Sequence, residues 1–270
     1  MYKSLIFLFF LVFIVSCNDD LTRTYYSNGQ IRDEGFEIDK KREGTWNFYY
    51  ENGQLEAVKN YSKGILDSTS IEYWNLDEVK ELSTPVQYRI NFDTLQQLPI
   101  KYIRNYKNGL KNGKEIYFFK LGDSRHATYV NDTLQGIMKG HFDTGELEGE
   151  GNFIDGNLEG KYIRYYKSGK IFSEENYING KREGKVTAYH ESGNIKWTLL
   201  YENNLREGPQ VWYYNDGTIE AIHNYKNNYM HGDWKFFYPN GKLKSKAIYD
   251  NGKIKENKIE FAQDGSPIKK

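Results

Sequence analysis

The sequence predicts an all-β fold: an elongated, twisted antiparallel meander built from tandem β-hairpins of 24 residues each. Three observations predict it. Glycines recur at Gly145, Gly169, Gly193, Gly217, Gly241 and Gly265, every step 24 residues, with a second series at Gly160, Gly184, Gly208 and Gly232. Such a fixed period marks a repeat architecture. Residues following each outer glycine alternate, as in Ile219, Ala221, His223 and Tyr225 against Thr218, Glu220, Ile222 and Asn224. Period two with one apolar face is a half-buried strand. Turn-forming residues punctuate both ends of every strand pair.

Composition agrees. The 270 residues include 24 Tyr, 15 Phe and 25 Gly, the strand and turn formers. With 37 basic and 37 acidic residues the chain has no formal net charge. Phosphate-backbone binding calls for net basic charge or a basic stripe, so nucleic acid is not an expected partner.

Taken in order, residues 1–17 stand apart. "MYKSLIFLFFLVFIVSC" has one early lysine, then an apolar run from Leu5 to Val15, about half of the ~20 residues a spanning helix needs. It reads as a signal peptide. Its end, "IVSC", resembles a bacterial lipobox, in which Cys17 becomes lipidated. Cys17 is the only cysteine, so neither an intramolecular disulfide nor a cysteine zinc site is available. The expectation is an envelope protein held on a membrane through lipid at Cys17, with 18–24 as a short tether.

Residues 25–77 hold the first repeats, with outer glycines Gly29 and Gly53 and inner Gly44; at 77 the phase holds on Asp77. Residues 78–112 lose the register and form either a decayed repeat or an insertion. Within them "PVQYRINFD" (85–93) still alternates. Repeats resume over 113–268. Each unit has a first strand after its outer glycine and a short aromatic second strand, as in "GTWNFYY" (44–50) and "GDWKFFY" (232–238). "SNG", "ENG" and "PNG" before the outer glycines suit two-residue hairpin turns. Three residues past the first strand's aromatic, Gly64, Gly109, Gly156, Gly180, Asn204, Asn228 and Gly252 mark a second turn needing a left-handed backbone. One such hairpin cannot offset the 1–2 kcal/mol per residue of lost backbone entropy, roughly. A row sharing ladder bonds can.

No catalytic constellation stands out. The five histidines (126, 141, 190, 223, 231) never fall at i, i+2 or i, i+4. His223 lies in an apolar stripe and reads as a satisfied sheet histidine. Glu174 and Glu175 are strand neighbours on opposite faces, so they cannot act as a carboxylate pair. Neither enzyme activity, metal nor cofactor is expected. The functional candidates are adjacent aromatic pairs closing the second strands: Tyr49/Tyr50, Tyr165/Tyr166, Tyr213/Tyr214 and Phe237/Tyr238. As neighbours they would place one ring in the packing and one in an aromatic ladder suited to a protein or glycan partner.

The pattern "YYxNGxI…Y…NGxxxGxWxxYY" over about 25–77 and 106–268 resembles bacterial MORN-variant repeat proteins (membrane occupation and recognition nexus). The resemblance implies a ribbon of antiparallel hairpins and a binding or scaffold role. Some bacterial relatives carry an antitoxin label, which implies neutralising a toxin by binding it. An envelope glycan-acting enzyme is the third reading; it requires acids and histidines gathered near 78–112 or 123–132.

Overall fold

The computed structural model describes residues 21–79 and 99–268. Cys17 and the alternating stretch 85–93 lie outside them. The described chain forms one antiparallel sheet of 22 strands that follow one another across the sheet in sequence order. The first four are β1 (Thr22–Tyr25), β2 (Ile31–Ile38), β3 (Lys41–Tyr49) and β4 (Leu55–Ser62). Then β5 (Ile65–Leu66) and β6 (Ser68–Tyr73) form one interrupted rung, both pairing with β4. A single helical turn, α1 (Leu76–Val79), follows β6. The meander resumes with β7 (Ile100–Lys107), paired directly to β6, then β8 (Leu110–Phe118) and β9 (Ser124–Val130). β10 (Thr133–Leu134) and β11 (Gly136–His141) again share a rung, followed by β12 (Leu147–Ile154), β13 (Asn157–Tyr165) and β14 (Ile171–Ile178). The third interrupted rung is β15 (Lys181–Arg182) with β16 (Gly184–Tyr189). β17 (Ile195–Glu202), β18 (Leu205–Tyr213), β19 (Ile219–Lys226), β20 (Tyr229–Phe237), β21 (Leu243–Asp250) and β22 (Lys253–Glu260) complete it. Twenty-two strands with three interrupted rungs therefore make nineteen rungs.

The two kinds of turn are the reverse of the sequence expectation. At the outer glycines the turn is longer than two residues: Tyr26 N–H donates to Gln30 O and Gly29 N–H to Tyr26 O, and only the glycine is left-handed (φ 85°). The asparagine before it stays right-handed; Asn28 instead accepts the Gln30 N–H on its side-chain oxygen. True two-residue turns lie at the opposite edge, where both central residues are left-handed, as at Asn203 (φ 50°) and Asn204 (φ 69°). That is type I′ geometry, whose twist matches the strands it joins. Lys40 (φ 59°) and Asp132 (φ 64°) fill this position as well, beyond the Gly and Asn the sequence marks.

The inner glycines have a different job. Gly208 (φ 69°) lies in a bulge: Leu200 pairs with Glu207 and Thr198 with Val211, so Leu199 alone faces three residues of β18. A left-handed residue starts such a bulge at low cost only as glycine. Pro209 follows inside it with no partner in β17, the place a sheet tolerates proline. Ser68 (φ 67°) takes the same position between β5 and β6.

The sheet is a single layer, so its packing is lateral. On what we term the aromatic face, large rings sit opposite small residues: Phe48 by Ala57, Trp212 by Ala221, Phe236 by Ser245, Trp234 by Ala247. In one unit the order is exchanged, Ala188 lying opposite Trp197. Gly35 lies beneath Trp46, which is only 1% exposed. A Cβ on Gly35 would lie 2.4 Å from the Trp46 ring. His223 stacks on Trp234 at 4.0 Å, yet its Nε2 is buried without a hydrogen-bond partner. It is thus a packed histidine rather than a satisfied one, held neutral by burial, which lowers its pKa.

Candidate functional surfaces

The aromatic pairs are placed by the outer turns. The second ring of each pair opens the turn, and its hydroxyl donates to a main-chain carbonyl 23 residues on: Tyr50 to Tyr73 O (2.9 Å), Tyr166 to Tyr189 O (2.7 Å), Tyr214 to Phe237 O (2.8 Å) and Tyr238 to Phe261 O (2.9 Å). Tyr26 and His190 make the equivalent bond. Each staples one outer turn to the next. In two of the pairs the first ring turns to a glutamate of the preceding strand: Tyr49 donates to Glu34 (2.7 Å) and Tyr165 to Glu150 (3.2 Å). Tyr213 and Phe237 lie at the same strand ends. All eight predicted aromatics are half-buried.

These bonds shift the groups that make them. Burial, then the hydrogen bond to Glu34, pushes the Tyr49 phenol up to about 12. The same bond, followed by that from Arg23, holds the Glu34 carboxyl below its ordinary value. Burial likewise pushes Tyr50 up to about 12. Groups held this firmly neutral at pH 7 act as hydrogen-bond donors, not as acids or bases.

At the opposite edge a second ladder repeats, which the sequence reading passed over. Before four of the inner glycines a glutamate accepts the N–H of the following two-residue turn: Glu43 from Lys63, Glu159 from Asn179, Glu183 from Asn203 and Glu207 from Asn227, at 2.7–2.9 Å. The recurring "EG" at 43–44, 159–160, 183–184 and 207–208 was the legible signal. The arginine before the glutamate lies over aromatic rings, Arg42 4.3 Å from the Trp46 centroid and Arg206 4.2 Å from Tyr225. Arg182 pairs with the buried Glu175 at 2.8 Å. Glu174 faces the other way and accepts from Tyr189, so the two neighbours are separated as expected.

Among the described residues no group of three or more His, Cys, Asp or Glu gathers to hold a metal ion. His126 and His141 come together across β9 and β11, rings 4.5 Å apart, both held neutral chiefly by burial. Ser124 Oγ is 3.3 Å from His126 Nε2. Lys139 stands directly opposite His126 and pairs with Glu150 at 3.2 Å.

The face opposite the aromatic one, the reverse face, carries a continuous transverse row. Val58, Ile71, Ile103 and Ile116 are successive cross-strand partners, four β-branched side chains in line. Four residues along each first strand from this row, and so on the same face, come the positions flanking the two-residue turns. One flank of each of the first eight turns is large, apolar and at least 39% exposed. Its cross-strand partner is lysine in four: Ile38 with Lys41, Leu110 with Lys107, Ile178 with Lys181 and Tyr229 with Lys226. In the others Ile65 faces Ser62, Val130 faces Thr133, Ile154 faces Asn157 and Leu205 faces Glu202. The ninth turn, Asp250 with Lys253, is polar. Directly paired residues share a face, so it does not matter which flank is apolar. The result is one apolar ridge along one edge.

Solved structures sharing local likeness include a GtfA/B complex bound to UDP and GlcNAc (16% identity over 44% of this chain, TM-score 0.19). A second is a TcdB2–TccC3–Cdc42 complex (9% identity over 84%, TM-score 0.19). The chain spans 23% and 15% of those chains respectively. No curated protein matches the chain. The MORN repeat variant matches it at five places, residues 42–63, 158–179, 182–203, 206–227 and 230–251, each a second strand, an outer turn and the first strand after it.

Proposed function

We propose that this protein is an exported, lipid-anchored repeat scaffold that binds a protein partner on its sheet surface without catalysing a reaction. The observation that carries the reading is the use made of the polar side chains. The tyrosine hydroxyls and the repeated glutamates are spent on backbone groups or on one another, stapling rung to rung. What repeats outward is apolar and lysine-bearing surface, spread over nineteen rungs instead of gathered into a cleft. A broad, nearly featureless face suits a protein surface better than a sugar ring, which needs open aromatic plates. The MORN-variant match supports the repeat-scaffold part. The anchor rests on the lipobox-like "IVSC" and Cys17.

Two measurements test this reading. Radiolabelled palmitate should enter the wild-type chain and not Cys17→Ala; equal labelling of both removes the anchor. Purified protein incubated with cell-wall fragments should release no product. Turnover abolished by a single acidic or histidine substitution would replace the scaffold with an enzyme.

A further inference from the structure

The apolar ridge is a second, independent feature, and nothing in its geometry serves rung-to-rung stapling. Ile38 and Tyr229 are each 61% exposed, Ile178 54%, and Ile65 and Ile154 51%. Buried polar atoms and apolar core lie elsewhere, on the aromatic face. Large apolar side chains repeated along an edge invite association unless something covers them.

We propose that the ridge is the interface of a symmetric dimer: a second copy of this chain lies antiparallel against it. Three features favour that occupant. The first is area. Half-exposed side chains of this size each offer roughly 100 Å², so eight give about 800 Å² per copy, the per-partner area of a standard specific interface. The second is spacing. Every two-residue turn is separated from the next by two rungs, about 9.5 Å at usual strand spacing, including the step across residues 67–107, where the sequence period fails. Two such ridges keep step along their whole length. The third is charge. A twofold axis through the fifth of the nine turns, Asp155–Gly156, brings the first turn of one copy to the ninth of the other. Lys41, which follows its turn, then meets Asp250, which precedes its own, at both ends of the interface. The interface is isologous, the commonest symmetry of soluble oligomers, and it closes.

Cross-linking of the full chain tests the axis. Asn157→Cys places a thiol at the twofold, whereas Asn240→Cys places one on the outer-turn edge, and the native chain, in which lipid at Cys17 leaves no free thiol, reports the background. A short bismaleimide should give a covalent dimer with Asn157→Cys about tenfold or more above the other two. Charge exchange tests the register without touching apolar packing. Lys41→Glu should weaken the dimer several-fold in sedimentation equilibrium, and adding Asp250→Lys should restore it. A chain that stays monomeric at tens of micromolar overturns the proposal, as does a dimer cross-linked equally at Asn240→Cys. So would ridge-dependent flotation of a monomer with phosphatidylcholine vesicles, which would assign the ridge to a lipid surface.

Discussion

Gly35 and Gly208 illustrate two reasons for one residue type. Gly35 has an ordinary backbone but no room, because Trp46 lies where its Cβ would be. Gly208 has room, with only Leu200 at 3.9 Å, but a left-handed φ of 69°. Gly35→Ala should therefore cost about 1–3 kcal/mol through overpacking, and a further Trp46→Leu should recover part of it. Gly208→Ala should cost on the order of 1–2 kcal/mol through backbone strain, and no second-site change of side-chain volume should rescue it. Urea midpoints of the single and double variants separate the two. Tyr50→Phe and Tyr214→Phe remove only the staple hydroxyl, and each should lower stability by about 0.5–1.5 kcal/mol. The Tyr49–Glu34 bond makes a pH prediction. Glu34 has a depressed pKa, so its contribution is present above the unfolded value near 4.3 and lost as pH falls through the folded one. Tyr49 has a raised pKa, so its contribution is present below about 10 and lost as pH rises toward about 12. Tyr49→Phe should flatten both limbs of the stability profile, measured as urea midpoint against pH.

An isolated strand pair here has two unlike ends, and each end is tied to the next pair by its own device. Tyrosine hydroxyls link the outer turns at intervals of 23 residues, and glutamates clamp the two-residue turns at intervals of 20. Glu183→Gln keeps an acceptor and should be nearly neutral, while Glu183→Ala leaves the Asn203 N–H without its partner. The expected cost is about 1 kcal/mol, with faster amide exchange confined to residues 203 and 204. The aromatic pairs, read from the sequence as two rings on opposite faces, prove to be a strand end and a turn opening. Adjacency alone could not show this, because the strand stops between them.

The whole molecule behaves as a one-dimensional stack, each rung supported by its neighbours. Removing one full period, residues 194–217, rejoins equivalent positions and should leave a folded chain. Its denaturant m-value should fall roughly in proportion to the buried surface lost. Removing twelve residues instead joins a first strand to a first strand and should abolish cooperative unfolding. Far-ultraviolet circular dichroism and urea titration read both outcomes. The edge ridge belongs to this scale too, since no single hairpin exposes enough apolar area to hold a partner.

Read alone, the sequence determined the class of fold, the period and the location of every turn from Gly145 onward, because glycine phase and strand alternation are local consequences of backbone sterics. It also determined that Glu174 and Glu175 could not cooperate, since strand neighbours diverge. It did not determine which joint is the two-residue turn: Asn-Gly occurs at both edges, and strand twist chooses between them. Nor did it show β7 lying directly against β6, because periodicity along the chain is silent about a ladder that continues in space after the period fails. The ridge is the clearest case. Its apolar members sit before the turn at Ile38, Val130, Ile154 and Ile178 but after it at Ile65, Leu110, Leu205 and Tyr229, so no fixed spacing reveals them. Cross-strand pairing puts both positions on one face, and only the assembled sheet lines them up.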